Sequence, residues 1–313
     1  MKCLLIGNFG VGNLGDEALK EYFLQEFPSV DWTVVSAHPA GDAEVPRLPG
    51  GIRSFLSFSW LKTMSAYRKC DAVVFGGGSL FTDTESAYAC FLWWLHAKLA
   101  FLLGKDVHLA FQGIGPFKTR FGERLCLAVC KRAASISVRD ALSHKRVGEW
   151  GLTQNSVQSF DPVFSLIESR KIDICTKNIL VVIPRKNSGD KFTEATQKKI
   201  KSMHPASVRI LSMQSDCKSE IEFCQKLASS IDIECSVQKV CTLDELLREL
   251  SSADFVISER YHGALAALAL GKDVEVVSQR EGDKLSTLQN QEDVNAGLLR
   301  DGEQLLRNAL QIE

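Results

Sequence analysis

The chain carries almost no net charge: 37 lysines and arginines nearly balance 38 aspartates and glutamates, leaving −1 over 313 residues. Nucleic-acid-binding chains usually show a basic patch or stripe, so that class finds no support and no nucleic-acid partner is expected. The ten cysteines form no Cys-x-x-Cys pair. Cys126 and Cys130 suit one helix face but supply only half a metal site. No metal-ligand cluster is evident, so no metal and no resident cofactor are expected, and the thiols read as reduced and mostly buried. Long apolar runs are scarce too. The most apolar stretch, 87–104, carries His96 and Lys98. It only brushes the ~18-residue threshold for a membrane span and reads as a buried or interfacial helix. Met1-Lys2 runs straight into a strand pattern too short for a signal-peptide core, so the expected compartment is the cytoplasm.

What remains is an ordinary folded composition, 45% hydrophobic and 24% charged, in a chain long enough for two domains of ~150 residues each. Strand-like and helix-like segments alternate throughout, the pattern of a parallel α/β sheet. Apolar strands are expected at 3–6, 32–36, 72–75, 107–111 and 135–138, and again at 179–183, 208–212, 231–237, 255–257 and 274–277. Their continuous apolar character indicates sheets covered on both faces. Helices are expected at 16–26, 61–69, 87–103, 121–133, 219–229, 243–251, 263–270 and 296–310. The polar stretch 168–178 reads as the join, giving domains 1–170 and 171–313. The expected architecture is two doubly wound, Rossmann-like domains facing across a cleft.

Polar, glycine-rich turns follow several of these strands. Gly7-Asn8-Phe9-Gly10-Val11-Gly12-Asn13-Leu14-Gly15-Asp16 ends the first. It is neither the dinucleotide fingerprint nor a Walker loop, and Asp16-Glu17 stand where a pyrophosphate would lie. Asp16 reads either as a first-turn helix acid or, with Asn13, as a ligand for sugar hydroxyls. Gly76-Gly77-Gly78-Ser79 with Asp83, and Gln112-Gly113-Ile114-Gly115-Pro116, read as further turns where backbone approaches a ligand. In the second half, Ile257-Ser258-Glu259-Arg260-Tyr261-His262-Gly263 runs from strand through turn into an Ala/Leu-rich helix. That is where open α/β sheets bind ligands. Arg260 offers a planar fork for phosphate or carboxylate. Histidine titrates near pH 6.5, so His262 can pass a proton near neutrality.

Taken in order, these motifs resemble the polysaccharide pyruvyl transferase family. The resemblance runs through 12–18, 76–81, 112–116, Ser137-Val138-Arg139-Asp140 with Ser143, Asp161-Pro162, Met213-Gln214, Asp216 and Arg260-x-His262-Gly263. Tyr261 stands where the family commonly has leucine, Phe111 where a small residue is usual, and 277–284 differs from the family's loop. The resemblance implies a B-type glycosyltransferase-like fold and transfer of pyruvate from phosphoenolpyruvate to a sugar as a ketal, within cell-wall polysaccharide biosynthesis. On that reading the donor side takes Arg139, Arg260, His262, Lys284 and Arg185, with His262 the general acid and Arg260 its partner. The acceptor side takes Asn13, Asp16, Ser79, Asp83 and Gln112; Asp16, Asp83 and Glu259 all stand open as the base. Partners are phosphoenolpyruvate and a saccharide acceptor. A lipid-linked acceptor would bring the chain to the inner membrane surface, where Trp93-Trp94 or 55–60 could touch lipid, although both stretches are expected in the core. A nucleotide-sugar glycosyltransferase and a non-catalytic carbohydrate-binding protein are the alternatives, since a shared fold does not fix function.

Overall fold

A computed structural model describes residues 1–84, 86–175, 177–214, 217–279, 284–288 and 296–312. The chain divides into two compact units. The first comprises Met1–Val11, Leu19–Pro162 and Ala296–Glu313, the second Gly12–Ala18 and Val163–Asn295. Both are parallel-sheet α/β domains, as expected. The division differs from a single break at 170/171: the second unit takes over already at Val163, and two further segments change sides. The C-terminal helix packs on the first unit through its apolar stripe, and the glycine-rich segment Gly12–Ala18 packs with the second.

The first unit holds a seven-stranded sheet of β1 (Lys2–Phe9), β2 (Asp31–Ser36), β3 (Glu44–Pro46), β4 (Ala72–Phe81), β5 (Asp106–Ile114), β6 (Ser135–Val138) and β7 (Ser156–Gln158). The order is β3-β2-β1-β4-β5-β6-β7 and every pairing is parallel. Strands outward from β1 run one way and those from β4 the other, which is the doubly wound arrangement. Its helices are α1 (Leu14–Glu26, from Leu19 onward), α2 (Ile52–Leu56), α3 (Leu61–Lys69), α4 (Ala87–Leu102), α5 (Arg120–Cys130) and α6 (Ala141–Glu149). Leu4, Ile6, Val73, Phe75, Val107, Leu109 and Ile136 of the central strands pack with α4 and α5 side chains in one core. The apolar stretch is indeed a helix of the fold: Trp93, His96, Ala97 and Ala100 of α4 are buried.

Past Pro162 the second unit resumes with α7 (Val163–Ser169) and carries five parallel strands: β8 (Ile179–Ile183), β9 (Ser207–Ser212), β10 (Cys235–Lys239), β11 (Phe255–Ser258) and β12 (Asp273–Val276). Their order is β10-β9-β8-β11-β12, with the reversal between β8 and β11. Helices α8 (Asp190–Met203), α9 (Lys218–Ala228), α10 (Leu243–Ser251) and α11 (Tyr261–Ala269) cover it, and α12 (Ala296–Leu310) belongs to the first unit. Leu180, Val182, Val208, Ile210, Phe192 and Cys224 form its core. In α10, Thr242 accepts from the Glu245 amide and the Glu245 carboxylate accepts from the Thr242 amide, a reciprocal cap visible in the sequence as Thr-x-x-Glu.

Several local expectations changed. Gly76-Gly77-Gly78 are not a turn but the middle of β4, paired with β5 through Gly76↔Ala110 and Gly78↔Gln112. A side chain at 77 would sit 2.8 Å from Leu19 and at φ +76°, so packing and backbone both require glycine there. Residues 112–114 likewise continue β5. The stretch 231–237 yields its strand only from Cys235. The segment 55–60 is not core: Phe55 and Phe58 are 52% and 59% exposed. All ten cysteines are free thiols, and Cys3, Cys70, Cys90, Cys126, Cys130 and Cys224 are buried.

Candidate functional site

In the second unit the polar groups gather at the carboxyl ends of the strands, around the reversal between β8 and β11. Arg185 lies two residues past β8, and Glu259 and Arg260 directly follow β11. Ser258 shapes this turn: its hydroxyl accepts from the Arg260 amide at 3.1 Å and donates to the Arg260 carbonyl at 2.8 Å. Arg260 is the N-cap of α11, whose Ala/Leu-rich sequence favours helix and is buried along almost its whole length.

The Arg260 guanidinium is ion-paired through Nη2 with Glu220 of α9. Glu220 is fully buried, and its other oxygen accepts from the Ser212 hydroxyl and from the Met213 and Gln214 amides at 3.0–3.1 Å. One carboxylate therefore clamps the end of β9 and aims Arg260. Arg260 Nε is buried and has no hydrogen-bond acceptor among the described residues. Sequence reading missed Glu220, because an acid in a helix's first turn is ordinarily explained by the helix dipole alone.

Glu259 is 3% exposed and accepts from the Ser188 hydroxyl and from Gln279 Nε2, the latter at 3.3 Å. Burial raises its pKa above the ordinary carboxylate value, opposed by those two hydrogen bonds and by the nearby Arg185 charge. Ser188 also accepts from the Arg185 amide at 2.8 Å, which ties the β8 and β11 ends together.

The glycine-rich segment completes this group. Asn13 forms a bridge with Gln214, and the Leu14 amide donates to the Met213 carbonyl at 3.2 Å. Asn13 Nδ2 donates to Asp16 Oδ2 at 2.7 Å. The His262 ring lies directly against Gly15: a Cβ there would stand 1.9 Å from Nδ1. Only glycine admits the imidazole at this distance. Tyr261, buried, meets His262 edge to face at 5.4 Å. Asn13 and Asp16 thus share the second unit with Arg260 and His262, although the sequence had suggested opposite sides.

Arg139, Ser79, Gln112 and Asp83 lie in the first unit. Arg139 is 1% exposed and pairs with Asp161 at 2.6 Å, both side chains fully enclosed. Its second nitrogen donates to Ser79 Oγ at 2.9 Å, and its amide to the Gln112 carbonyl at 3.2 Å. The Gln112 side chain donates to the Phe75, Gly77 and Ala110 carbonyls at 3.0–3.2 Å. These residues lock the carboxyl ends of β4, β5 and β6 to one another. Breaking such an enclosed ion pair typically costs about 3–5 kcal/mol. Asp83 stands apart, accepting from the Lys118 and Thr119 amides and the Thr119 hydroxyl ahead of α5. Burial opposes its ionisation, but these donors outweigh burial and lower its pKa. Lys284 opens a short 3₁₀ turn, Lys284–Thr287. Its side chain, Asp216 and 280–283 lie outside the described residues. Among the described residues no group of three or more His, Cys, Asp or Glu could hold a metal ion.

The model of the polysaccharide pyruvyl transferases matches residues 13–278. The chain belongs to that family. The match begins at Asn13 and takes in Glu220, Glu259, Arg260 and His262, whereas Lys284 and α12 lie beyond it. No curated protein matches the chain in sequence. Among solved structures, UDP-GlcNAc 2-epimerase of Neisseria meningitidis bound to UDP-GlcNAc superposes with a TM-score of 0.68 at 14% identity. It covers 99% of this chain and 100% of the other. Staphylococcus aureus MnaA, in a co-structure with UDP, gives 0.61 at 14% identity over 97% and 88%. HepE of Anabaena in complex with UDP and glucose gives 0.59 at 10%, over 99% and 91%. At these identities the likeness is one of fold, a two-domain B-type glycosyltransferase-like architecture.

Proposed function

We propose that the chain transfers the pyruvyl group of phosphoenolpyruvate to a saccharide as a ketal, the acceptor being a polysaccharide or a lipid-linked precursor. The observation that carries this reading is Arg260. In a member of this family, it is a guanidinium at the switch point of the second sheet, held by a buried carboxylate, two residues ahead of His262. Phosphoenolpyruvate brings a phosphate and a carboxylate, and charge-assisted bonds to such groups are worth about 1.5–3 kcal/mol each. Arg260 and Arg185 are the residues we assign to them, with Lys284 behind.

His262 protonates the methylene carbon of the donor, which leaves a cation-like carbon. One sugar hydroxyl attacks that carbon and loses its proton to a base. Phosphate then departs with the electron pair of its bond to that carbon, and a second hydroxyl closes the ring, its proton returning to the His262 imidazole. General acid catalysis of this kind contributes about 10²–10⁴-fold. Asp16 is the carboxylate we assign to the acceptor hydroxyl, because it adjoins Gly15, against which the His262 ring lies. Asn13 holds Asp16 and offers its own amide. Asp83, Gln112 and Ser79 are buried or engaged inside the first unit, and Arg139 is enclosed there. On this reading they support the fold of that unit: Arg139 is not assigned to the donor, nor Ser79, Asp83 and Gln112 to the acceptor.

Calorimetry with phosphoenolpyruvate and, separately, UDP-GlcNAc tests the assignment on wild type, Arg260→Ala and His262→Asn. The expected result is phosphoenolpyruvate binding lost in Arg260→Ala. His262→Asn should keep donor binding within a few-fold and lose at least ~10²-fold in turnover. Binding of UDP-GlcNAc without phosphoenolpyruvate would instead make this a nucleotide-sugar enzyme, the chemistry of its fold relatives' ligands.

A further inference from the structure

Large apolar side chains are scattered singly over most protein surfaces, but a contiguous group of them marks a contact with something else. Residues 51–59 of this chain are all exposed, followed by half-buried Trp60 and exposed Leu61 and Lys62. Ile52 is 80% exposed, and Phe55, Leu56, Phe58 and Leu61 are each more than half exposed. Helix α2 has no buried residue at all.

This knuckle is nevertheless built. The Gly51 amide donates to Ser54 Oγ at 3.0 Å, Phe55 and Trp60 stack at 5.5 Å, and Trp60 Nε1 donates to the Phe55 carbonyl at 2.9 Å. The indole N–H is thus satisfied from within, and the aliphatic and phenyl faces point outward. Thr63 and Tyr67 of α3 anchor the base in the core.

Charge narrows what the surface fits. Between Glu44 and Asp71 the chain has no aspartate or glutamate. Arg53, Lys62, Arg68 and Lys69 are all exposed in that interval. Apolar side chains set among cations of one sign match a bilayer with anionic headgroups, where acyl boundary and lipid charge lie within one side chain's reach. Among the described residues no helix is long and apolar enough to cross a membrane, so attachment of this kind acts from the surface.

We propose that the knuckle 51–62 docks the protein on an anionic phospholipid bilayer. Ile52, Phe55, Leu56 and Phe58 enter the headgroup boundary, and Arg53, Lys62, Arg68 and Lys69 meet the lipid charge. The inference is independent of the transfer chemistry, since its test uses no substrate.

The full chain is floated with vesicles that contain roughly one-third phosphatidylglycerol in phosphatidylcholine, and with phosphatidylcholine alone. The comparison variant is Phe55→Ser/Leu56→Ser/Phe58→Asn, asparagine being chosen because position 58 has φ 55°. A second variant, Arg53→Glu/Lys62→Glu, removes the charge but keeps the apolar face. Thermal melts and sedimentation without lipid accompany both. Wild type should float with the anionic vesicles, at least tenfold less with neutral ones, and come off in high salt. Each variant should lose at least tenfold in bound fraction with an unchanged melt. Absence of wild-type flotation, or equal flotation of the apolar variant, overturns the proposal. So does a wild-type dimer that the apolar variant makes monomeric while neither floats, because the knuckle would then cover a second copy of the chain.

Discussion

The most consequential single contact is the one between Arg260 and Glu220. A guanidinium on a long flexible stem loses rotamer freedom when it binds an anion, and a partner that fixes it beforehand lowers that cost. Glu220 does this while holding Ser212, Met213 and Gln214, so its removal should act on the donor site and on β9 together. Glu220→Gln is expected to weaken phosphoenolpyruvate binding about tenfold and to cost about 1–3 kcal/mol of stability, from urea unfolding. Glu220→Asp should recover part of the stability but less of the binding, because its shorter reach can serve only one of the two tasks. Equal donor affinity in Glu220→Gln would show that Arg260 needs no support. Arg260 and His262 were legible because they follow an apolar strand and precede an Ala/Leu helix. Glu220 was not legible, because its partner lies 40 residues away, and nothing in the spacing of 217–220 distinguishes it from a first-turn helix acid. The closeness of Gly15 to His262 was hidden for the same reason: sequence separates them, and only the packing of Gly12–Ala18 within the second unit joins them.

Among the elements, strands buried on both faces were the easiest to read. Ser135–Val138 and Ile179–Ile183 agree with expectation to the residue: the second is an unbroken apolar run bounded by polar residues, and the first alternates serine with β-branched Ile136 and Val138. The amphipathic helices Leu61–Lys69, Leu243–Ser251 and Ala296–Leu310 were equally plain. Helix α8 went unread because Lys, Thr, Glu and Gln fill most of its length and Phe192 and Thr196 are its buried residues. The glycines of β4 misled in the other direction: their lack of side chains serves the close packing of Leu5, Leu19 and Phe23 within the sheet's cover. Helix α4 carries its own testable property. His96 Nε2 accepts from the Leu48 amide at 3.3 Å, so Nδ1 bears the proton and donates to Tyr67 Oη at 2.7 Å. Burial, and secondarily the Arg47 charge, push its pKa down to about 3. A free histidine near 6.5 takes up its proton first, so the unfolded chain gains protons that the folded chain refuses. His96 should therefore lower stability by about 2 kcal/mol between pH 7 and pH 5, and further toward pH 3. Urea midpoints across this range should fall more steeply in wild type than in His96→Gln; parallel curves would exclude the buried histidine as the cause.

At the scale of the whole molecule, the chain enters the first unit, lends seven residues to the second, returns, leaves again at Pro162, and comes back for its last helix. Helix α12 is integral to that unit. Glu303 accepts from Tyr22 Oη at 2.6 Å, Arg307 pairs with Glu26 at 2.6 Å and lies over Phe27, and Gly302 fits against Phe111 and Ser159. Truncation after residue 295 should uncover Tyr22, Phe27 and Phe111, which are buried in the full chain. The expected outcome is loss of the cooperative melt or a drop in Tm of more than about 10 °C, a loss of several kcal/mol. A truncated chain that melts like the full one would show that the seven-stranded sheet is complete without α12. The same connectivity sets a schedule for synthesis. The ribosome finishes all seven strands of the first sheet before it begins the main stretch of the second unit, 163–295, yet the helix that covers Tyr22, Phe27 and Phe111 follows that stretch. At about 5–20 residues per second, the stretch 163–295 takes roughly 7–27 s to emerge. For that interval every nascent copy carries an unlidded aromatic surface, and on a crowded polysome the neighbours' surfaces are the same.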